Sequence, residues 1–295
     1  MSILHDALRG AGHVAALTQG AAQRRVLVVG GGGPLGAAVL AQLVGSGAWA
    51  RVAVLIDQPM AMAVQGLEAW PAQWLPQTGM PMPSPAPETA PAPAPAPAPA
   101  PGAGASDSAP WQPDTALLVF DRPYPHNRRE AALHRPVPDT LPRLAAALHA
   151  LGVQRLLLVL PHAPGLLPQA LRAGLATLDE QAVAALGFAQ LVLVRPARQA
   201  AAGDRSTGLL PRVAGAVLAQ LHWMVPQREQ ALRPAKVARF VADLALALPA
   251  MASGTRVVPP EMLWDWAQPG AGPAVLQAWL QGRPGPVLHG PVPRL

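Results

Sequence analysis

The stretch that decides the fold is VLVVGGGGPLGAAVL, residues 26–40. An apolar run is followed by four glycines, by Pro34 and by a segment of helical composition. These residue types predict a buried strand, a tight turn and the start of a helix, where a proline is well tolerated. A second buried strand is predicted by RVAVLID at 51–57, so the region forms a β-α-β unit.

The same alternation of apolar strands and helices continues along the chain. Further strands are predicted at 114–121, 153–160, 188–196 and 255–258, a weaker one within 62–70, and helices at 140–152, 166–186 and 234–248. This order predicts an α/β fold: a doubly wound, mostly parallel, Rossmann-like sheet with a small C-terminal helical portion.

Composition divides the chain into an N-terminal arm at 1–24, one domain at 25–270, and a C-terminal helix and tail at 271–295. A Pro/Ala insert at about 78–112 interrupts the domain and contains the run PAPAPAPAPAP. Such a sequence is extended and cannot bury a core, which predicts a spacer loop. The alternative is a docking segment for a partner.

The bulk composition excludes several classes of protein. The chain has no cysteine, which excludes disulfides, thiolate metal sites and a cysteine nucleophile. No signal peptide or membrane-spanning run is predicted, so we expect a cytoplasmic protein. The net charge is +6, but the arginines are scattered, which does not favour nucleic-acid binding. No metal-binding motif is present.

The glycine-rich turn has the spacing of a phosphate-binding loop. Gly30 permits the tight turn, Gly33 lets the backbone approach a pyrophosphate, and Gly36 lets the helix pack closely on the sheet. Pro34 and Leu35 at the helix start would also lie at the cofactor, where the exposed N–H groups of the first turn and the positive end of the helix dipole attract a phosphate. The alternative is a tight turn with no ligand.

An acid ends the second predicted strand. Asp57 lies 21 residues beyond Gly36, where a carboxylate accepts hydrogen bonds from both ribose hydroxyls of an adenosine. The same charge repels a 2′-phosphate, so NAD(H) is favoured over NADP(H). The alternative is that Asp57 is a strand-end or turn residue and that no cofactor binds.

The motifs occur in a familiar order. The glycine loop at 30–36 is followed by LPRLAAALHALGVQRLLLVL, DEQAVAALGFAQLVLVRP and RPAKVARFVADL. Apart from the insert, residues 25–265 resemble atypical short-chain dehydrogenase/reductase proteins of the Tat-interacting-protein-like and NmrA-like branch. The resemblance implies an NAD(P)H-binding fold, with Asp121 and Pro196 at the cofactor site.

The resemblance also implies a catalytic set that this chain lacks. Such enzymes use a Ser or Thr after the fifth strand and a Tyr-x-x-x-Lys on the next helix, in which the lysine lowers the pKa of the tyrosine. By alignment, these positions hold Leu160, Arg172 and Ala176. The only tyrosine, Tyr124, and the only lysine, Lys236, lie elsewhere.

Other polar residues follow predicted strands at the carboxyl edge of the sheet, where ligands of such folds bind. His162 is a candidate general acid, because a histidine titrates near neutral pH. Tyr124 with Arg128 is a second candidate. Asp121 and His126 complete the polar group at this edge.

Three functions therefore remain open. The first is an NAD(P)(H)-binding protein without standard dehydrogenase catalysis, acting as a cofactor sensor or an interaction scaffold. The second is an oxidoreductase or epimerase-like enzyme that uses unusual residues, His162 and Tyr124 among them. The third is a purely structural protein that binds a protein partner or forms a homodimer through the Pro/Ala segment or through Trp264 and Trp266 near the C-terminus.

Overall fold

A computed structural model describes residues 24–60, 64–76, 111–121, 131–162, 174–197 and 231–283. Nearly all of the N-terminal arm and of the Pro/Ala insert lies outside the described residues, as do Tyr124, His126, Arg128 and Arg172. The domain boundaries predicted above stay predictions.

The described residues form one parallel sheet of seven strands. The strands are β1 (Arg25–Val29), β2 (Arg51–Ile56), β3 (Glu68–Pro71), β4 (Thr115–Val119), β5 (Arg155–Val159), β6 (Gln190–Val194) and β7 (Gly254–Val258). Their order in the sheet is β3-β2-β1-β4-β5-β6-β7, and every neighbouring pair is parallel. This order is that of a Rossmann-like fold, in which the order of strand addition reverses between β1 and β4.

Helices cover both faces of the sheet. They are α1 (Pro34–Ser46), α2 (Leu141–Ala150), α3 (Leu178–Ala184), α4 (Pro234–Ala247), α5 (Pro260–Trp266) and α6 (Gly272–Leu280). One core holds Val26 and Val28 of β1 and the buried sides of α1, α4, α5 and α6. Leu27 and Val29 point to the opposite core, with α2 and α3. Alternate residues of a strand point to opposite faces, so a doubly wound sheet needs strands that are apolar throughout.

The largest difference from the predicted elements concerns the helix expected over 166–186. Within the described residues α3 begins only at Leu178, because Thr177 is extended and its hydroxyl accepts a hydrogen bond from Glu180 N at 3.2 Å as an N-cap. The weak strand expected within 62–70 is the four-residue β3. Within the described residues no helix is both long and apolar enough to cross a membrane.

The helix α4, which packs against α1, carries a half-buried acid. Burial raises the pKa of Asp243 above its ordinary value of 3.8, and the nearby Arg239 opposes this rise. The native state therefore binds this proton more tightly than the unfolded chain. The contribution of the protonated Asp243 carboxyl to the stability of the native state is fully present below the ordinary pKa of 3.8. It is lost as the pH rises through the pKa that Asp243 has in the folded protein.

Asp243→Asn should therefore raise the melting temperature at neutral pH, because a neutral amide has a smaller desolvation penalty than a carboxylate. The advantage should shrink as the pH falls through the folded pKa of Asp243. Thermal unfolding of both proteins from about pH 4 to about pH 8 measures it. A variant less stable than the wild type at neutral pH would mean that attraction to Arg239 outweighs burial.

Candidate nucleotide site

The candidate site lies at the carboxyl ends of β1 and β4, where the strand order reverses and open α/β sheets bind ligands. The turn between β1 and α1 brings the glycine loop to this point. Gly30 has a φ of 98°, a left-handed conformation that favours glycine. A Cβ on Gly30 would collide with the carbonyl oxygen of Val119 in β4 and lie 3.0 Å from Pro136 Cγ.

Gly36 is required by a second close approach. A Cβ at this position would collide with the carbonyl oxygen of Gly30 and lie 2.9 Å from Gly31 Cα. The first turn of α1 therefore sits directly on the turn that leaves β1. Both glycines are needed by contacts within the chain, whether or not a ligand is bound.

The N-terminus of α1 is capped by an acid from another strand. Gly33 is the extended N-cap residue and has no side chain to cap the helix, and Pro34 has no amide hydrogen. The next two amides, of Leu35 and Gly36, both donate to Asp121 Oδ2, at 2.5 and 3.3 Å. Asp121 directly follows Phe120 at the end of β4, so its carboxylate spans the crevice between β4 and α1.

This carboxylate occupies the position that a phosphate needs. A pyrophosphate at a helix N-terminus is held by the first backbone amides and by the helix dipole. Here these amides already bind an anion that belongs to the chain. In this arrangement the Leu35 and Gly36 amides are not open to a pyrophosphate, and binding of NAD(H) stays a prediction.

The predicted ribose-binding acid also has a partner within the chain. Asp57 directly follows β2, and its Oδ1 lies 2.7 Å from His134 Nδ1. The Asp57 side chain keeps 47% of its surface exposed. One carboxylate oxygen is thus engaged by a histidine, and Asp57 still faces solvent.

The residues around His134 cross the edge of the sheet above the glycine loop. The carbonyl oxygen of Ala132 accepts a hydrogen bond from Asp57 N at 2.8 Å, and His134 N donates to Leu55 O at 2.9 Å. Leu133 forms an antiparallel bridge with Ile56 and lies next to Gly31. Residues 131–137, which we call the crossing segment, therefore connect the end of β2 to the glycine loop.

A cavity of about 610 Å³ opens beside Asp57. Its walls come from the carboxyl ends of β2 and β3 and from the connection between them, and they include Ile56, Met60, Leu67, Pro71 and Gln73. The lining is mostly apolar, with the Asp57 carboxylate and the amide groups of Gln58 and Gln73 as polar exceptions. This composition and size are typical of small-molecule sites.

The remaining predicted catalytic residues are dispersed. His162 and Pro196 meet at the ends of β5 and β6, where His162 N donates to Pro196 O at 3.1 Å. Leu160, at the aligned serine position, directly follows β5, and Ala176 precedes α3. Lys236 lies on α4, and its Nζ donates to Ala267 O at 3.3 Å. Tyr124 lies outside the described residues.

A buried ion pair supports the same edge of the sheet. Arg195 Nη2 lies 2.6 Å from Glu180 Oε2, and the two side chains are only 2% and 6% exposed. The same oxygen accepts a hydrogen bond from Ala176 N at 2.6 Å. The pair joins the end of β6 to the first turn of α3.

Neither His134 nor Glu180 was predicted to take part in this edge. A sequence signal exists for Glu180, because Thr-x-x-Glu at 177–180 is a capping-box pattern. Nothing in HRPVP at 134–138 indicates that His134 would meet Asp57. In a comparison with known proteins, no protein-family model and no curated protein matches this chain.

Proposed function

We propose that the chain is a Rossmann-fold protein with the architecture of atypical short-chain dehydrogenases that acts as an interaction scaffold. The observation that carries this proposal is the Asp121 carboxylate on the amides of Leu35 and Gly36. A pyrophosphate would have to displace this carboxylate and would be repelled by it at short range. The chain keeps the fold and supplies the anion itself.

The residues at the catalytic positions support the same proposal. A leucine has no proton to donate, and Leu160 stands where the resemblance requires a hydroxyl. Lys236 donates to the Ala267 carbonyl oxygen, and it is not at the lysine position of the resemblance, which Ala176 occupies. The mechanism of a standard short-chain dehydrogenase needs a phenol made acidic by an adjacent cation, and the aligned positions hold Arg172 and Ala176 instead of this pair.

The test is calorimetry of the wild-type protein and of Asp121→Ala with NAD, NADH and NADPH. We expect no binding heat from the wild-type protein at about millimolar cofactor, and at least about tenfold tighter NADH binding by Asp121→Ala. The variant should also lose about 1–2 kcal/mol of stability, because two helix amides lose their acceptor.

Two further variants sharpen this test. Asp121→Asn keeps an acceptor without the charge and should fall between the wild type and Asp121→Ala. Asp139→Ala removes an exposed acid that does not contact the glycine loop, and it should bind cofactor no better than the wild type. Wild-type protein that binds NADH as tightly as Asp121→Ala would refute the proposal.

A second candidate is a sensor of NAD(H), and the cavity beside Asp57 favours it. Asp57 would accept a hydrogen bond from a ribose hydroxyl, and the apolar walls of the cavity would contact the adenine. In that case the wild-type protein binds NADH in the same titration, and it binds NADPH more weakly because Asp57 repels the 2′-phosphate. Asp57→Asn would then reduce the discrimination between the two cofactors.

A further inference from the structure

The strand β7 ends the sheet in the described part of the chain. Its inner side pairs with β6: Gly254 N donates to Ala189 O at 2.9 Å, and Val258 O accepts from Arg195 N at 3.2 Å. In a parallel ladder, alternate residues bond to the same neighbour. The amides and carbonyls of Thr255 and Val257 therefore point away from β6, and no described residue pairs with them.

A groove of about 540 Å³ follows this outer edge. Thr255, Arg256 and Val257 form its floor. Gly174 and Leu175 wall it on the face of the sheet that carries α2 and α3, and Trp279, Gly282 and Arg283 wall it on the opposite face. An edge strand with outward backbone groups and a wall on each side can accept an additional strand.

Two guanidinium groups line the groove. Arg256 Nη1 donates to the carbonyl oxygens of Trp279 and Leu280 at 2.9 and 3.0 Å, and its guanidinium carbon lies 5.7 Å from the centre of the Trp279 ring. Its position is therefore held by the end of α6. Within the described residues neither Arg256 nor Arg283 forms an ion pair with a carboxylate.

We propose that the β7 groove binds an extended acidic peptide of a partner protein as an eighth strand. The peptide backbone pairs with Thr255 and Val257, and its carboxylates bind Arg256 and Arg283. Charge complementarity selects this occupant, because neither arginine of the groove has a carboxylate partner in the described part of the chain and the whole chain carries a net charge of +6. The inference names the partner class of the scaffold proposed above and rests on that function.

The test is fluorescence anisotropy of the full chain with a labelled peptide of about eight residues in which glutamate alternates with valine. The probe with lysine in place of glutamate is the charge control. We expect the glutamate peptide to bind and the lysine peptide not to bind. Arg256→Gln and Arg283→Gln should each weaken binding about tenfold, whereas Arg143→Gln, an exposed arginine on α2, should not change it.

Val257→Pro tests the backbone contacts separately. It removes an amide that points away from β6, which an edge strand tolerates, and it also removes a partly buried side chain that packs against the core on the side of α2 and α3. Val257→Ala loses the same packing but keeps the amide, so peptide binding should fall further in Val257→Pro than in Val257→Ala. Arg283 is exposed, so its variant folds even if replacement of Arg256 disturbs the end of α6.

Three results of the peptide titration would overturn the proposal: no binding of the glutamate peptide, equal binding of both peptides, or binding unaffected by the groove variants. Self-association through β7, seen by sedimentation and abolished by Val257→Pro, would also overturn it by making a second copy the occupant. The cofactor titration is independent. NADH binding by the wild-type protein would refute the scaffold function. Failure of the glutamate peptide to bind would leave the expected effect of Asp121→Ala on NADH binding unchanged.

Discussion

Gly36→Ala should destabilise the protein by at least about 3 kcal/mol and abolish a cooperative melting transition if the wild type is marginally stable. The new Cβ would collide with the carbonyl oxygen of Gly30 and would lie 2.9 Å from Gly31 Cα. Both are backbone atoms of the turn between β1 and α1, which packs against the end of β4, so they cannot rotate away as a flexible side chain could. Chemical denaturation followed by circular dichroism measures the loss.

Gly45→Ala is the matched control. Gly45 lies in the same helix, and a Cβ there meets nothing within 4 Å. This replacement should stabilise the protein by about 0.5–1 kcal/mol, because alanine is the better helix former. If both variants behaved alike, the close approach of α1 to the glycine turn would be refuted.

Glu180→Ala should cost about 3–5 kcal/mol, which is typical when one partner of a buried ion pair is removed. The Arg195 guanidinium would stay buried without this carboxylate, and Ala176 N would lose its acceptor. Glu180→Gln keeps an acceptor oxygen and should lose less. Urea unfolding of the three proteins gives the two differences.

Asp179→Ala is the control for Glu180, because Asp179 is the exposed acid one residue earlier in the same helix turn. Its loss should cost no more than about 1 kcal/mol, the usual contribution of an exposed charge near a helix N-terminus. An equally small loss from Glu180→Ala would mean that the pair is not buried in solution.

The two glycine contacts change how the glycine loop is interpreted. Gly30 and Gly36 are required by contacts with Val119 and with each other, so packing alone explains them. The ligand-related part of the motif is the row of amides at the start of α1, and Asp121 accepts from two of these. A glycine motif can therefore remain in a chain whose phosphate position holds its own acid.

Much of the fold was predicted from local patterns. The parallel sheet follows from strands such as RVLVV and RLLLV, which are apolar on both faces and alternate with helices. The predicted helix over 166–186 is not helical at the described residues 174–177, since the cap at Thr177 depends on one hydroxyl and one amide rather than on an apolar period. The outer edge of β7 was not predicted, because the local sequence of a strand does not determine its position in the sheet.

By itself, the sequence determined the α/β class, the place of the glycine turn and the lack of a Tyr-x-x-x-Lys pair, because these depend on residue types and short spacings. Only the tertiary structure decided what the site holds. Asp121 and Leu35 are 86 residues apart, and Asp57 and His134 are 77 apart. Such contacts arise because the ends of neighbouring strands, and the segments that cross them, meet at one edge of the sheet, which brings together residues that share no local pattern.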